Sequence, residues 1–421
     1  MAENAVYYLS EVPGIDAIAF GHAHAVFPDE SFSDIPGVDV KRGTINGVVA
    51  VMPGRWGSHL GIMDLSLEYR GGAWEVVSVR SEARPIHKGA DGEPLVVADQ
   101  QVVDSVSHAH DLTRKFVNRT IGKTTSPLYS YLALVQDDPT VQIVNRAQIN
   151  YVRHYVQGDP DLGQLPVLSV TAPFRAGGRR DNPNDYVAVD AGEITHGNAA
   201  ELYPFPNRLV ALKITGKEVR EWLECSAALY NRVDPTNPQE QPLINWEGFR
   251  VYNFDVFEGV SYRIDVTEPA RYDGGCNRID QNASRIRELT YRGEPVEPNQ
   301  VFLVATNNYR AFGGIFPGTG ETNVAFESPD ENRAIVVDYI ASLTKKQGAV
   351  SPVANHNWAL SPVETDLPLS VTFRTASGDQ VERFVQTFGQ YPMHYLRTEQ
   401  TGFAVYRLDL AEPIGQVPTG P

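Results

Sequence analysis

The stretch that most constrains this chain is a short apolar run, Ile15–Phe20, which passes directly into Gly21-His-Ala-His24. The run is too short for a helix and ends on glycine, so it predicts a buried strand. His22 and His24 then follow the carboxyl end of that strand, the edge at which open α/β sheets bind ligands. Two imidazoles there could address two metal ions about 3.5–4 Å apart, the spacing of two-metal hydrolytic sites. Solvated loop histidines are the alternative, and the motif alone leaves both open.

The composition admits two or three domains and excludes several kinds of partner. The chain has 421 residues, of which 42% are hydrophobic, enough for substantial cores. Its 52 acidic and 36 basic residues give a net charge of −16, which repels duplex nucleic acid but leaves room for a small nucleotide in a local pocket. No run approaches the ~18 consecutive apolar residues of a membrane-spanning helix. The first six residues lack the basic segment and apolar core of a signal peptide.

Strand and helix patterns are mixed along the whole chain, which predicts an α/β or α+β fold. Glycine and proline separate the elements, and Arg70-Gly-Gly72 is typical of a hairpin turn. Residues 25–43, 232–243 and 345–368 are polar or rich in proline and predict loops. The predicted strands are Gly47–Met52, Gly61–Tyr69, Trp74–Ser81, Leu165–Val170, Leu209–Ile214, Arg250–Val256, Tyr262–Val266, Ile286–Tyr291, Val301–Ala305, Leu369–Thr375 and Gly402–Leu408, and the predicted helices are residues 98–119, Pro139–Tyr155, Asn198–Leu202, Lys217–Tyr230, Glu331–Leu343 and Asp379–Phe388.

The helix over residues 98–119 repeats apolar side chains at helical spacing and is interpreted as a connector between two domains. A Gly-rich loop with three arginines, residues 171–180, follows the strand near residue 170. The predicted domains are residues 1–97, the connector 98–119, a second domain at 120–365 and an α+β extension at 366–421.

Two aromatic residues of the second domain stand on loops: Phe205 in Leu202-Tyr-Pro-Phe-Pro-Asn207, and Tyr309 in Thr306-Asn-Asn-Tyr-Arg310. Aromatic rings on loops can sandwich a nucleobase, which contributes roughly 1–3 kcal/mol per base. Rings near proline and glycine also pack commonly on their own domain. The residues by themselves favour this second interpretation.

Several motifs in order carry a resemblance to a known family. They include Gly21-His-Ala-His24, Ala172-Pro-Phe-Arg-Ala-Gly177, Tyr252-Asn-Phe-Asp255, Val304–Gly314 and Ala325–Arg333. Together they resemble the 5′-nucleotidase family, and within it the bacterial periplasmic cyclic-nucleotide phosphodiesterases/3′-nucleotidases. The resemblance implies an N-terminal metallophosphatase domain with two divalent metal ions, a connecting helix, and a C-terminal domain that holds the base between two aromatic rings.

By this resemblance His22 and His24 are metal ligands, and Phe205 and Tyr309 are the stacking residues. Arg175 matches a basic position that contacts substrate, while Asn308, Arg310 and Asn145 are expected to neighbour the pocket. The implied substrates are 2′,3′-cyclic nucleotides and 3′-nucleotides, used in nucleotide salvage by a periplasmic monomer.

The sequence departs from the family pattern because it retains only the Gly-His-x-His metal motif. The other metal-binding segments and the histidine that orients the nucleophile are absent, so the chain is interpreted as a C-terminal portion. We therefore expect no stoichiometric pair of metals here and no catalysis by this chain alone. The alternative function is a catalytically incomplete nucleoside- or nucleotide-binding module.

The two cysteines, Cys225 and Cys276, allow either one disulfide or two thiols. Export, which the resemblance implies, would favour oxidation. Their positions on a helix and in a Gly-rich loop lead us to expect two separate thiols.

Overall fold

A computed structural model describes residues 5–89, 92–177, 182–366 and 368–410 of the chain. The chain divides into two compact units, residues 1–111 and 112–421. The mixed α/β class predicted from the sequence is confirmed. We keep the finer division at residues 97, 119 and 365 as a proposal. In the described ranges no helix combines the length and the apolarity that a bilayer crossing requires.

The first unit contains a small sheet and one long hairpin. Its sheet follows the order β1-β5-β4-β3, with β2 also paired to β5. The elements are α1 (Val6–Leu9), β1 (Ala17–Ala19), β2 (Val26–Phe27), a 3-10 helix (Glu30–Phe32), β3 (Val38–Asp39), β4 (Thr44–Ile45), β5 (Val48–Pro53), β6 (His59–Arg70) and β7 (Ala73–Pro85).

The predicted strand before the histidine motif is present as β1. It runs parallel to β5, with Ile18 opposite Ala50, and both side chains are buried. The predicted hairpin is also present, and Gly71 and Gly72 take positive φ angles of 58° and 92° at its turn. The loop predicted over residues 25–43 is wrong in part. It contains β2 and β3, because the fully buried Phe27 packs between other aromatic rings of this core.

The helix predicted over residues 98–119 is present as α2 (Gln100–Val117), and its role as a connector stays a proposal. The second unit then contains the elements that build the site. They are β8 (Thr120–Thr124), β9 (Leu128–Tyr129), α3 (Pro139–Tyr155), β10 (Val167–Thr171), β11 (Ala188–Val189), β12 (Gly192–Thr195), α4 (His196–Leu202), β13 (Arg208–Thr215), α5 (Gly216–Ser226), β14 (Gln241–Pro242), β15 (Val256–Glu258), β16 (Ser261–Ile264), β17 (Ile286–Tyr291), β18 (Glu294–Pro295), β19 (Val301–Asn307), α6 (Asn308–Gly313), β20 (Val324–Glu331), α7 (Asn332–Gln347), β21 (Trp358–Leu360), β22 (Val371–Thr375), α8 (Asp379–Phe388), β23 (Met393–Thr398) and β24 (Ala404–Leu408), with 3-10 helices at Ala227–Leu229, Val251–Asn253 and Glu321–Asn323.

The central sheet of the second unit has the strand order β15-β10-β19-β13-β20. Strands β10 and β19 are parallel, and the other neighbours are antiparallel. Along β19, Phe302 and Val304 belong to one buried core, while Leu303 and Ala305 belong to another. Because successive side chains point to opposite faces of a strand, both faces of this sheet are covered.

Helix starts in this unit follow their capping residues. The Asp138 carboxylate accepts a hydrogen bond from the Thr140 amide and caps α3. Thr215 and Glu218 form a reciprocal capping box at α5, with the Glu218 carboxylate accepting from the Thr215 amide at 2.7 Å. Helix α3 begins at the predicted residue, and α5 begins one residue before the predicted Lys217.

Three strands near the C-terminus, β22, β24 and β23, form a four-stranded sheet with β14, in the order β14-β22-β24-β23. The predicted strands β22 and β24 and helix α8 are present, whereas β23 was not predicted. β14 comes from the predicted loop 232–243 and pairs in parallel with β22. Phe373 and Tyr406 of this sheet belong to the same buried core as Trp222 of the central domain.

The expectation of two separate thiols is wrong. Cys225 and Cys276 form a disulfide, and their Cα atoms lie 5.3 Å apart, inside the range that such a bond requires. The loop that carries Cys276 is held against α5 because Glu221 of that helix accepts hydrogen bonds from Arg271 and Tyr272. Sequence spacing contains no information about this ionic attachment.

Candidate functional site

A cavity of about 260 Å³ opens at one edge of the central sheet. Parallel strands β10 and β19 end at this edge, while the antiparallel strands β13 and β15 begin there. Loops from all four strands therefore converge, as ligand sites of α/β sheets require. The residues lining the cavity are Phe174, Phe205, Asn207, Tyr252, Asn307, Tyr309 and Arg310.

Phe205 and Tyr309, far apart in sequence, line the same cavity. The Tyr309 ring is 54% exposed. The Phe205 ring is partly buried and packs edge-on against Phe174, with ring centroids 5.2 Å apart. One aromatic wall is thus fixed by its neighbour, while the other is open to solvent. The resemblance implies that the two rings hold one base between them, which requires a gap of about two stacking distances of ~3.5 Å, and this facing arrangement stays a prediction.

Tyr252 and Phe174 bring the aromatic residues of the lining to four, and the sequence singled out neither of them for this site. Tyr252 is 37% exposed and lies just before β15. The segment around it was predicted as a strand over residues 250–256, which is wrong. It forms a 3-10 helix, Val251–Asn253, and the strand begins only at Val256. The sequence signal that could have identified Tyr252 is the motif Tyr252-Asn-Phe-Asp255, one of the motifs that carry the family resemblance.

Arg310 lies in the wall of the cavity but is 96% hidden from solvent, being only 4% exposed. Its Nε donates to Asp255 Oδ2 at 2.9 Å, and its Nη2 donates to Asp255 Oδ1 at 3.2 Å and to the Tyr252 carbonyl. Trp222 Nε1 also donates to Asp255 Oδ2, at 3.0 Å. Burial raises the pKa of the Asp255 carboxyl, and the Arg310 charge opposes that shift.

Asn307 is the second buried polar residue of the cavity wall. It caps α6, since its Oδ1 accepts from the Arg310 amide at 2.9 Å. Its Nδ2 donates to the Tyr203 hydroxyl at 3.0 Å. Both ends of the amide therefore have protein partners, and Asn307 fixes the start of the helix that carries Tyr309.

The remaining predicted substrate residues are not among those lining the cavity. Asn308 Oδ1 accepts from the Arg208 amide at 3.0 Å. Asn145 is 1% exposed, and its amide joins the Val256 carbonyl to the Ser169 hydroxyl. Arg175 Nε donates to Asp185 at 3.0 Å, and its Nη1 lies 3.7 Å from Glu201. Two of the three arginines predicted in that loop, Arg179 and Arg180, lie outside the described residues.

His22 and His24 lie in the first unit, in the loop after β1, as predicted. Both take left-handed backbone conformations, with φ of 64° and 56°. Within the described ranges, no three His, Cys, Asp or Glu side chains are grouped so as to hold a metal ion. Two imidazoles are fewer ligands than a two-metal site uses. The described residues therefore do not fit the implied metal pair.

Comparisons with known proteins show what the chain is similar to. Residues 120–317 match the 5′-nucleotidase, C-terminal domain family. A 2′,3′-cyclic-nucleotide 2′-phosphodiesterase/3′-nucleotidase of Salmonella typhimurium is 54% identical over 412 residues, covering 98% of this chain and 64% of that protein. The protein of the same name from Yersinia enterocolitica is 51% identical, covering 97% of this chain and 63% of its own length.

A solved Staphylococcus aureus structure assigned as a 5′-nucleotidase matches with a TM-score of 0.56 at 19% identity, over 86% of this chain and 59% of that one. This likeness concerns the fold alone. The chain spans slightly less than two thirds of the length of the relatives above, 64% and 63%. The comparisons do not confirm the expectation that the chain is a truncated, inactive remnant. Residues 120–317 therefore match a 5′-nucleotidase C-terminal domain, and nearly the whole chain is similar to these two relatives.

Proposed function

We propose that the protein to which this chain belongs hydrolyses phosphoester bonds of 2′,3′-cyclic nucleotides and 3′-nucleotides, and that the cavity of the second unit binds the nucleobase. The names of the relatives support the reaction class. The observation that carries this assignment is that Phe205 and Tyr309, which are far apart in sequence, line the same cavity.

The size and lining of the cavity support a single ring system. Its volume of about 260 Å³ lies below the ~300 Å³ at which pockets for drug-sized ligands begin. Its aromatic lining suits stacking, which is worth roughly 1–3 kcal/mol per base and tolerates different bases. Base binding of this kind would position the phosphate while leaving base preference broad.

The other predicted substrate residues are proposed to support the site. Asn308 and Asn145 hold backbone segments together, and Arg175 is paired with two carboxylates. The partner of the cavity is proposed to be a small nucleotide or nucleoside, bound by a monomer. The Cys225–Cys276 disulfide supports an oxidising compartment such as the periplasm.

His22 and His24 are retained as proposed ligands of a divalent metal site. The described residues do not complete that site, so no catalytic step is assigned to it here. A nucleoside- or nucleotide-binding module remains the second candidate function, favoured by the complete aromatic cavity of the second unit.

The test is calorimetric titration of the chain with adenosine and 3′-AMP in the presence of a chelator, together with phosphate release from 3′-AMP after divalent metals are added. Binding should be weak and should be lost in Tyr309→Ala. Tyr155→Ala is the matched control, because that ring is 51% exposed in the same unit but stacks on Phe326, outside the cavity. Binding that survives Tyr309→Ala would refute the cavity assignment. Phosphate release that is lost in His22→Ala would support the enzyme over the binding module.

A further inference from the structure

Two nitrogens of the buried Arg310 guanidinium, Nε and Nη2, donate hydrogen bonds to protein groups. Arg310 is 4% exposed, donates twice to the Asp255 carboxylate, and donates to the Tyr252 carbonyl. Asp255 is itself 2% exposed, so each charge is neutralised by a buried partner. An arginine held in this way adds little net charge to the cavity that it lines.

The same guanidinium lies close to two aromatic rings, Tyr309 in the cavity lining and the buried Phe316. Its central carbon lies 5.5 Å from the Tyr309 ring centroid and 5.0 Å from that of Phe316. Phe316 is buried and stacks on Trp222, with centroids 5.1 Å apart. Arg310 thus connects a rigid core to the exposed Tyr309 ring, and arginine–ring contacts of this kind are attractive.

The hydrogen bond to the Tyr252 carbonyl explains the irregular backbone there. That carbonyl belongs to the 3-10 helix where a strand was expected, and Asp255 follows at its end. One side chain therefore fixes two aromatic walls, Tyr252 through its backbone and Tyr309 through its ring.

We propose that Arg310 is a positioning residue which, neutralised by Asp255, holds Tyr252 and Tyr309 around the uncharged base of the ligand and does not contact its phosphate. This inference rests on the proposed function of the cavity. On this proposal the cavity holds only the uncharged base of the ligand, and the phosphate group lies outside the cavity.

The wild-type chain gives the first test, because a neutral cavity should bind adenosine and 3′-AMP with affinities within about twofold of each other when metals are chelated. Added salt should change neither affinity appreciably, since exposed charges but not stacking are screened. Preference for 3′-AMP that disappears at high salt would overturn the inference.

Arg310→Lys tests the positioning role. Lysine keeps the charge but lacks the planar fork that reaches Asp255 and Tyr252 together. We expect adenosine and 3′-AMP to lose affinity equally, by about tenfold. A loss confined to 3′-AMP, or no loss for either ligand, would overturn the proposal. Arg287→Lys is the matched control, since that arginine pairs with Asp265 and Glu268 at the surface.

Asp255→Asn tests neutralisation and remains informative if Arg310→Lys does not fold. It leaves the buried Arg310 charge without its carboxylate, so 3′-AMP should gain at least about threefold over adenosine, and the gain should fall with salt. An unchanged ratio would overturn the neutral-cavity inference. Failure of the proposed function looks different, because the wild-type chain would then bind neither ligand or Tyr309→Ala would bind both normally.

Discussion

Cys225 on helix α5 is bonded to Cys276, and the Glu221 carboxylate, one turn earlier on the same helix, fixes the loop that carries Cys276. The Cα atoms of the two cysteines lie 5.3 Å apart. Arg271 Nε and Arg278 Nη2 reach Glu221 at 3.0 and 3.2 Å. The loop is thus attached to α5 both covalently and ionically.

The first prediction follows from the covalent attachment. Replacing both cysteines by serine should lower the free energy of unfolding by about 2–4 kcal/mol, because the unfolded chain regains the entropy of a long loop. The bond joins residues 51 apart in sequence. Urea unfolding of both proteins measures the difference, and adenosine affinity should stay unchanged because the cavity lies elsewhere. Titratable thiols in the denatured, unreduced wild type would contradict the bond.

The second prediction separates stacking from other uses of Tyr309. Tyr309→Phe should keep most of the affinity for adenosine, because the ring supplies the stacking energy, whereas Tyr309→Leu should weaken binding by about tenfold. Since the ring is 54% exposed, neither variant should unfold the domain. Calorimetry and a thermal melt on the same samples measure both quantities. Equal losses in the two variants would instead point to the hydroxyl group.

The third prediction concerns Asn145, which the family resemblance places near the pocket. Asn145→Ala leaves the Val256 carbonyl and the Ser169 hydroxyl without their partners in a buried place, which should cost about 1–3 kcal/mol of stability. Affinity for adenosine at a temperature where the variant is folded should be nearly unchanged. A variant of normal stability that binds adenosine poorly would instead show that Asn145 takes part in ligand binding.

Local signals in the sequence predicted most helices and many strands of the second unit. The Asp138 cap and the Thr215–Glu218 capping box determine helix starts through neighbouring backbone groups, so they can be recognised within a few residues. The strand predicted over residues 250–256 failed for the opposite reason. Its backbone is held by Arg310, a residue distant in sequence, which no local pattern reveals.

Part of the candidate site could be named before the structure, but only through the family resemblance. Phe205 and Tyr309 were named in this way, whereas their residue context favoured ordinary packing. Tyr252 and Phe174 were missed because they reach the cavity through convergence of separate strands at one sheet edge. The disulfide was missed because the attachment of its loop depends on Glu221, Arg271 and Tyr272 together.

The last prediction is a fall in stability with rising pH caused by Asp137. This side chain is 2% exposed, and burial, reinforced by the nearby Glu258 charge, raises the pKa of its carboxyl to about 7. Between the ordinary carboxyl pKa of about 4 and this value, the folded chain keeps a proton that the unfolded chain releases. The free energy of unfolding should therefore decline by up to about 1.4 kcal/mol per pH unit and level off above about pH 7.

Asp137→Asn resembles the protonated form and can still accept from the His356 amide, which lies 2.9 Å from Asp137 Oδ2. The variant should match the wild type at and below about pH 4, where Asp137 is protonated in both the folded and the unfolded chain, and should exceed it near pH 8 in urea unfolding. Asp338→Asn, on an exposed position of α7, controls for the loss of one negative charge. Parallel pH curves for the wild type and Asp137→Asn would exclude Asp137 as the source of the slope.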